Sequence, residues 1–305
     1  MVFQLKILGA NSATPAYGRY PTSQLLTIGN FHGLIDCGEG CQMQLTRYKA
    51  KASKITHVFI SHLHGDHFFG LIGLLNTFNL NGRTEELVLF GPSGLADIIT
   101  VQLRQSRTVL KYKLTFTALE PNLSACIYED QALTVTTLPM DHRIACWGFL
   151  FREQPKPRRI NKERLSDDLS VPDIIALKEG RDLYQADGSL RYRNDTLTLP
   201  PRRSRSYAYG ADTRYQPSLA EAVQGVDLLY HEATFMEADA ELAETRYHST
   251  TVQAATIAQR AQVGQLLIGH YSSRYHDLNP LLAEAQAVFA NTQLAREGGD
   301  YTVED

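Results

Sequence analysis

No run of eighteen apolar residues occurs anywhere in the 305-residue chain, so no segment reads as a membrane-spanning helix. No basic leader precedes an apolar run with a small-residue cleavage site either, because MVFQLKILGANSATP turns polar after one strand length. The expectation is a soluble protein that stays in the cytoplasm. Cysteine is scarce: Cys37, Cys41, Cys126 and Cys146 are irregularly spaced, which fits reduced thiols better than a disulfide framework. Cys37 and Cys41 could be half of a zinc site, but no second Cys/His pair lies at finger-like spacing, so they read as small buried residues. Internal repeats, low-complexity tracts and a Gly-rich phosphate loop are all missing. The formal charge of −3 argues against a protein that coats nucleic acid with its whole surface.

Hydrophobic residues make up 43% of the chain, ample for a substantial core. Strand-like runs closed by Gly, Asn or Asp appear at FQLKILG, SQLLTIG, GLIDCG, ITHVFISH and ELVLFG, and again at KLTFTAL, ALTVTTLP, CWGFLF, SYAYGAD and DLLYHEA. Helical patterns lie at HFFGLIGLLNTFNL, GLADIITVQLRQSR, TTVQAATIAQRAQV and NPLLAEAQAVFANTQLA. This order predicts a mixed α/β (α+β) fold over residues 1–305, two β-rich sheets face to face with helices outside. Residues 152–203 stand apart, rich in Pro and charge and without sustained periodicity, and read as an excursion from the core. Between 152 and 205 there are 13 Lys and Arg against nine Asp and Glu, a net of +4, leaving 17 against 24 elsewhere, a net of −7. A basic segment on an acidic body can be a footprint for phosphates, although a solvated loop of mixed charge fits the composition as well.

The densest chemistry lies in SHLHGDHFFG at 61–70, where three imidazoles and one carboxylate occupy six consecutive positions. Burying them together costs free energy unless something pairs with all of them, and a metal does. Alternate residues of an extended segment point the same way, so His62 and His64 can share one ion, while the turn at Gly65 redirects Asp66 and His67 toward a second. His142, Asp212 and His270 each follow an apolar strand-like run and are the further candidate ligands. With Asp212 as the bridge, one ion takes His62, His64, His142 and Asp212, and the other takes Asp66, His67, His270 and Asp212. All-His/Asp ligation suits two Zn²⁺, with Mn²⁺ or Fe as alternatives.

These residues, together with LIDCGEGCQMQL at 34–45, GADTR at 210–214, HEAT at 231–234, HST at 248–250 and GHYSSRY at 269–275, resemble the metallo-β-lactamase superfamily and, within it, the ribonuclease Z family of tRNA 3′-processing endonucleases. The resemblance spans most of the chain. It implies a four-layer αββα sandwich, a homodimer, two zinc ions and a protruding arm, here 152–203, that grips precursor tRNA. Two departures stand out: ATPAYGRYPTS replaces the family's Pro-x-Lys-x-Arg-Asn loop, and VPDIIALKEG keeps the arm's basic Leu-Lys-x-Gly segment without its Gly-Pro pair.

The implied reaction is hydrolysis of a phosphodiester, leaving a 3′-OH on the tRNA and a 5′-phosphate on the trailer. Asp66 is the candidate proton acceptor, and His248 the candidate donor to the leaving oxygen, oriented and kept cationic by Glu232. Phe68, Phe69 and Tyr271 flank the ligands; stacking on bases is open to them, but Phe68 and Phe69 read more simply as helix core. His231 reads as structural, and His32, His57 and His276 as ordinary. The rival functions are a small-molecule phosphodiesterase, a di-iron oxidoreductase lacking its flavin domain, and an inactive RNA-binding scaffold.

Overall fold

Alternation along the first strands decides which way each side chain points. In the computed structural model, which describes residues 2–166 and 168–305, Phe3, Leu5 and Ile7 join a core cluster with Leu26, Ile35, Phe59 and Phe90. Leu8, Leu25, Leu34 and Val58 join a second cluster. Successive side chains of a strand face opposite ways, so one sheet separates these two apolar layers. Its seven strands run in the order Asp300–Thr302, Phe3–Gly9, Ser23–Ile28, Phe31–Cys37, His57–Phe59, Leu87–Gly91 and Leu114–Ala118. Pairing is antiparallel as far as Phe31–Cys37 and parallel beyond it. The outer layer is closed by the helices Cys41–Arg47, Leu71–Leu80 and Gly94–Gln105, through Leu45, Leu71, Leu74, Leu75, Leu95 and Ile99 at helical spacing.

The second sheet has the order Thr292–Leu294, Gln265–Gly269, Leu228–Glu232, Ser206–Gly210, Trp147–Glu153, Leu133–Pro139 and Cys126–Glu129. Its first four strands are parallel. Leu228–Glu232 is buried at every position, which explains why DLLYHE shows no alternation: a parallel strand covered on both faces has no solvent side to alternate with. Trp147, Phe149, Tyr207 and Tyr209 share the inter-sheet core with Phe3, Leu5 and Phe59. Helices Thr251–Arg260 and Asn279–Val288 add Ala254, Ile257, Leu281 and Ala285 to that cluster. The layer order is αββα.

Several sequence expectations need correction. The helix expected over HFFGLIGLLNTFNL is two, Gly65–Phe68 and Leu71–Leu80. The break falls where Gly70 packs on backbone: its N–H donates to the Cys37 carbonyl at 2.9 Å, and a Cβ there would lie 2.2 Å from the Gly38 oxygen. The last helix stops at Val288, with Phe289 already extended, and Thr292–Leu294 forms a strand. ITHVFISH supplies only the strand His57–Phe59.

Residues 152–205, with Asp305, form a separate compact unit. It is more regular than its sequence suggests. Helix Val171–Lys178 opens with a Ser170/Asp173 capping box, a hairpin pairs Leu183–Tyr184 with Leu190–Tyr192, and Arg159–Ile160 pairs with Thr198–Leu199. Leu177, Leu183 and Leu197 make a small core with Ile160 and Tyr192. These residues sit on different short elements, so no window of sequence shows their period. Where the unit's two ends meet, the Glu153 N–H donates to the Arg205 carbonyl at 2.9 Å, while Arg205 donates to the Glu153 carboxylate from Nε at 3.0 Å and Nη2 at 2.6 Å. Both residues are buried.

Glu153→Ala would leave the Arg205 guanidinium buried without its bidentate partner, a change that costs about 3–5 kcal/mol in such pairs. Faster hydrogen exchange at the Arg205 amide and a lower melting temperature are expected, and unaltered exchange would refute the assignment. Burial raises the Glu153 pKa, but Arg205 and Lys156 outweigh it and hold the carboxyl at about 2, below the ordinary 4.5. The stabilisation is therefore complete above pH 4.5 and is lost as pH falls toward 2.

Candidate metal centre and cleft

The strand His57–Phe59 leads through an extended stretch into the short helix Gly65–Phe68. His62 and His64 precede the turn, whereas Asp66 and His67 lie within it. The other candidates emerge from carboxyl ends of second-sheet strands: His142 beyond Leu133–Pro139, Asp212 beyond Ser206–Gly210, Glu232 at the end of Leu228–Glu232, and His270 directly after Gln265–Gly269. All seven candidate ligands converge. One group is His62, His64, His142 and Asp212, and a second is Asp66, His67 and His270. The Asp212 carboxylate lies between them. Its Oδ2 faces His62 Nε2 at 3.6 Å and His142 Nε2 at 4.0 Å, while Oδ1 faces His67 Nε2 at 3.4 Å and His270 Nε2 at 3.2 Å.

Hydrogen bonding fixes which nitrogen of each ring points inward. The Ser61 hydroxyl donates to Asp36 Oδ2 at 2.8 Å, so its oxygen accepts from His62 Nδ1 at 3.0 Å. His67 Nδ1 donates to Asp36 Oδ2 at 2.7 Å, and His142 Nδ1 donates to the Tyr247 carbonyl at 3.0 Å. The Thr234 hydroxyl donates to Glu232 Oε2 at 2.8 Å and accepts from His270 Nδ1 at 2.8 Å. Four rings thus spend their Nδ1 protons outward and turn bare Nε2 lone pairs inward. His64 is the exception, presenting Nδ1 to His62 Nε2 at 3.0 Å and to His142 Nε2 at 3.1 Å.

This arrangement fits metal ions on its own chemistry. Inward lone pairs 3.0–3.3 Å apart repel unless a cation lies among them, and the buried Asp212 Oδ1 has no hydrogen-bond partner among the described residues. Burial lowers the His67 pKa, but the carboxylates of Asp212, Asp66 and Asp36 outweigh it and raise the value. A proton thus competes with metal at that nitrogen.

Beside this cluster His248 Nδ1 donates to Glu232 Oε1 at 3.0 Å. Burial would lower its pKa, yet Glu232 overrides that and pushes it up to about 9, so the ring is cationic at neutral pH. Glu232 also accepts from the N–H groups of Thr213, Ser249 and Thr234. Cleft and cluster open into a cavity of about 670 Å³ lined by His64, Asp66, Phe69, Asp212, His248 and His270.

Sequence reasoning assigned no role to Asp36, Thr234 or Tyr247. Asp36 left a signal, an acid inside the apolar strand GLIDCG; Tyr247 left none, because it acts through its carbonyl. Two aromatic expectations part ways. Phe68 is only 9% exposed and is core, whereas Phe69 is 63% exposed. Tyr271 is fully buried, its hydroxyl donating to the Ile268 carbonyl at 2.6 Å, so it is unavailable for stacking. Cys37 and Cys41 are buried free thiols.

A family model described as Anti-Pycsar protein Apyc1 matches residues 3–146, less than half of the chain. Among solved structures, the short form of human tRNase Z is similar at a TM-score of 0.72 and 25% identity, covering 99% of this chain and all of that one. The metallo-β-lactamase fold protein YhfI from Bacillus subtilis gives a TM-score of 0.69 at 22% identity, with 99% and 100% covered. Fold and cluster together define a metal-dependent hydrolase of the metallo-β-lactamase fold. Ribonuclease Z of Cytophaga hutchinsonii is 48% identical over 305 residues, all of this chain and 97% of the relative, and that of Bacteroides fragilis is 46% identical over 297 residues, 97% of each. The chain belongs to the ribonuclease Z family, and is a metal-dependent endoribonuclease of tRNA 3′ processing.

Asp212→Ala removes a carboxylate that faces both groups, and its purified protein should lose metal by elemental analysis. Asp36→Asn leaves every candidate ligand in place and should still weaken metal affinity by about 10- to 100-fold, the usual effect of losing a ligand's hydrogen-bonded support. Competition with a chelator reads this, and wild-type affinity in Asp36→Asn would show that Asp36 does not govern His67.

Proposed function

We propose that the chain cuts precursor tRNA at the 3′ trailer with two Zn²⁺, one held by His62, His64, His142 and Asp212 and the other by Asp66, His67, His270 and Asp212. The observation that carries this reading is the Asp212 carboxylate, with one oxygen toward each group of ligands. Two divalent ions bound there supply positive charge beside the attacked phosphodiester and an acidified water. The residues of the chain do the rest. Asp66, held ionised against its burial by His67 and His270, accepts a proton from the attacking water. As the oxygen–phosphorus bond forms, the bond to the departing 3′ oxygen breaks, and that oxygen takes a proton from His248 Nε2. Glu232 holds the opposite nitrogen and thereby orients the donor. The products are a tRNA with a 3′-OH and a trailer with a 5′-phosphate.

Residues 152–203 are proposed as the arm that grips the tRNA body, within what is otherwise one domain. Several of its cations are neutralised internally, such as Arg191 by Asp168 and Asp173 and Arg193 by Asp195. Lys162, Arg164 and Lys178 are exposed and form no ion pair among the described residues. A cytoplasmic homodimer belongs to the same reading and is supported by family membership; light scattering tests it. No helix of the described residues is long and apolar enough to cross a membrane.

His248→Ala should retain metal and lose roughly 10²–10⁴ in the cleavage step on labelled precursor tRNA. A nitrophenyl phosphodiester, whose leaving group needs little protonation, should suffer much less. Equal losses on both substrates would remove His248 as the donor. Cleavage of the diester alone by wild-type protein would favour the small-molecule phosphodiesterase.

Replacing residues 154–204 by a short Gly/Ser bridge keeps the Glu153–Arg205 contact. It should raise KM for precursor tRNA far more than for the small diester, and flatten the salt dependence, because phosphate contacts weaken through counterion release. Equal losses would mean that the segment supports the fold, and no loss would make it a solvated loop.

A further inference from the structure

The mouth of the candidate metal cleft carries an exposed aromatic ring and two guanidinium groups without an ion pair among the described residues, and the chemistry above gives them no task. Phe69 closes the short helix that bears Asp66 and His67, and it points away from the core that takes Phe68. It lies against Gly65, where a Cβ would fall 2.2 Å from the ring, so only glycine between His64 and Asp66 lets it sit there. Edge-on to Phe68 with ring centres 5.0 Å apart, yet 63% exposed at the rim of a polar cleft, the ring is suited to contact something that enters the cleft.

Arg143 and Arg246 reach the same cavity from two other segments. Arg143 follows His142, and Arg246 precedes Tyr247. The hydrogen bond from His142 Nδ1 to the Tyr247 carbonyl, 3.0 Å, brings these stretches of backbone together. The acids nearest to each in sequence are already engaged. Arg214 donates to Asp141 Oδ1 at 3.1 Å and to Glu244 Oε1 at 2.9 Å, and its guanidinium lies 4.4 Å from the centre of the Tyr247 ring. Arg143 and Arg246 consequently form no ion pair among the described residues and are exposed. Arg274, the other arginine of the cavity, differs in being bound to Asp239 at 2.8 Å. A single free surface arginine is ordinary. Two on the segments that deliver His142 and His248, both facing a cleft that takes a polyanion, are an electrostatic receptor for phosphates.

We propose that Phe69, Arg143 and Arg246 grip the single-stranded RNA around the scissile bond, Phe69 by stacking under a base and the two arginines by holding flanking phosphates. The proposal rests on the endoribonuclease reading. Stacking needs only the face of a base, and the arginines need only charge, so the grip is indifferent to sequence.

The test uses full-length metal-loaded protein, labelled precursor tRNA with a 3′ trailer, and a small nitrophenyl phosphodiester, at several salt concentrations. The readout is the ratio of kcat/KM on RNA to that on the diester. Arg143→Ala and Arg246→Ala should each lower this ratio through a raised KM, and should reduce the slope of log kcat/KM against log salt by roughly 0.7–0.9, one phosphate contact each. Arg→Lys at either position keeps the charge and should restore the slope. Phe69→Ala should lower the ratio by roughly 5- to 150-fold without changing the slope, and Phe69→Trp should restore it. Unchanged slopes in both alanine variants, an unaffected ratio in Phe69→Ala, or equal losses on both substrates would overturn the proposal. Wild-type protein that hydrolyses the diester and leaves precursor tRNA whole would remove the underlying reading as well, and that control separates the two failures.

Discussion

Five imidazole nitrogens and the carboxylates of Asp66 and Asp212 face one another across 3–4 Å, and such a set holds its shape only when something else fixes every ring from behind. Burying it without support would cost several kcal/mol for each unpaired charge. Support comes from both sheets. Asp36, at the end of a first-sheet strand, accepts from His67, from the Ser61 N–H and hydroxyl, and from the Tyr209 hydroxyl of the second sheet. One buried carboxylate therefore ties the SHLHGDH segment to both halves of the sandwich, and the position of His67 depends on the inter-sheet core as much as on its own helix.

The backbone bears part of this burden. Asp36, Tyr247 and His270 all adopt positive φ, at 54°, 61° and 61°, in a region that costs residues other than glycine about 1–3 kcal/mol each when held there by their surroundings. Each is a place where a group must face the site: the carboxylate behind His67, the carbonyl behind His142, and His270 itself. Five other non-glycine residues with positive φ lie elsewhere in the chain, but at these three the well-packed αββα core holds a group toward the cluster.

The layered architecture and the candidate ligand set were legible because they rest on strong local signals: strand runs ending in His or Asp, and an imidazole density that no ordinary core tolerates. What lay behind the ligands was not. Thr234 and Tyr247 act through a hydroxyl already engaged elsewhere and a carbonyl, neither of which has a residue signature. Phe69 was misread because adjacent aromatics before a helix look like core, and only the break at Gly70 turns the second one outward. The 152–205 segment hid its small core by spreading three leucines over separate short elements, whereas Thr292–Leu294 followed a helix without a Gly or Pro to mark the change.

Glu232 shows why the metal cluster and the candidate proton donor cannot be treated as independent. Its Oε1 accepts from His248, from Ser249 and from Thr213, the neighbour of Asp212. Its Oε2 accepts from Thr234, whose oxygen in turn holds His270. A single buried carboxylate thus sets the orientation of a candidate ligand to one side and of the cationic ring to the other. The helix Thr251–Arg260 begins immediately afterwards with the Thr250/Gln253 capping box, which holds the chain at the turn following His248. The cationic ring is therefore positioned by the frame that places the candidate ligands, the kind of preorganisation that electrostatic catalysis draws on.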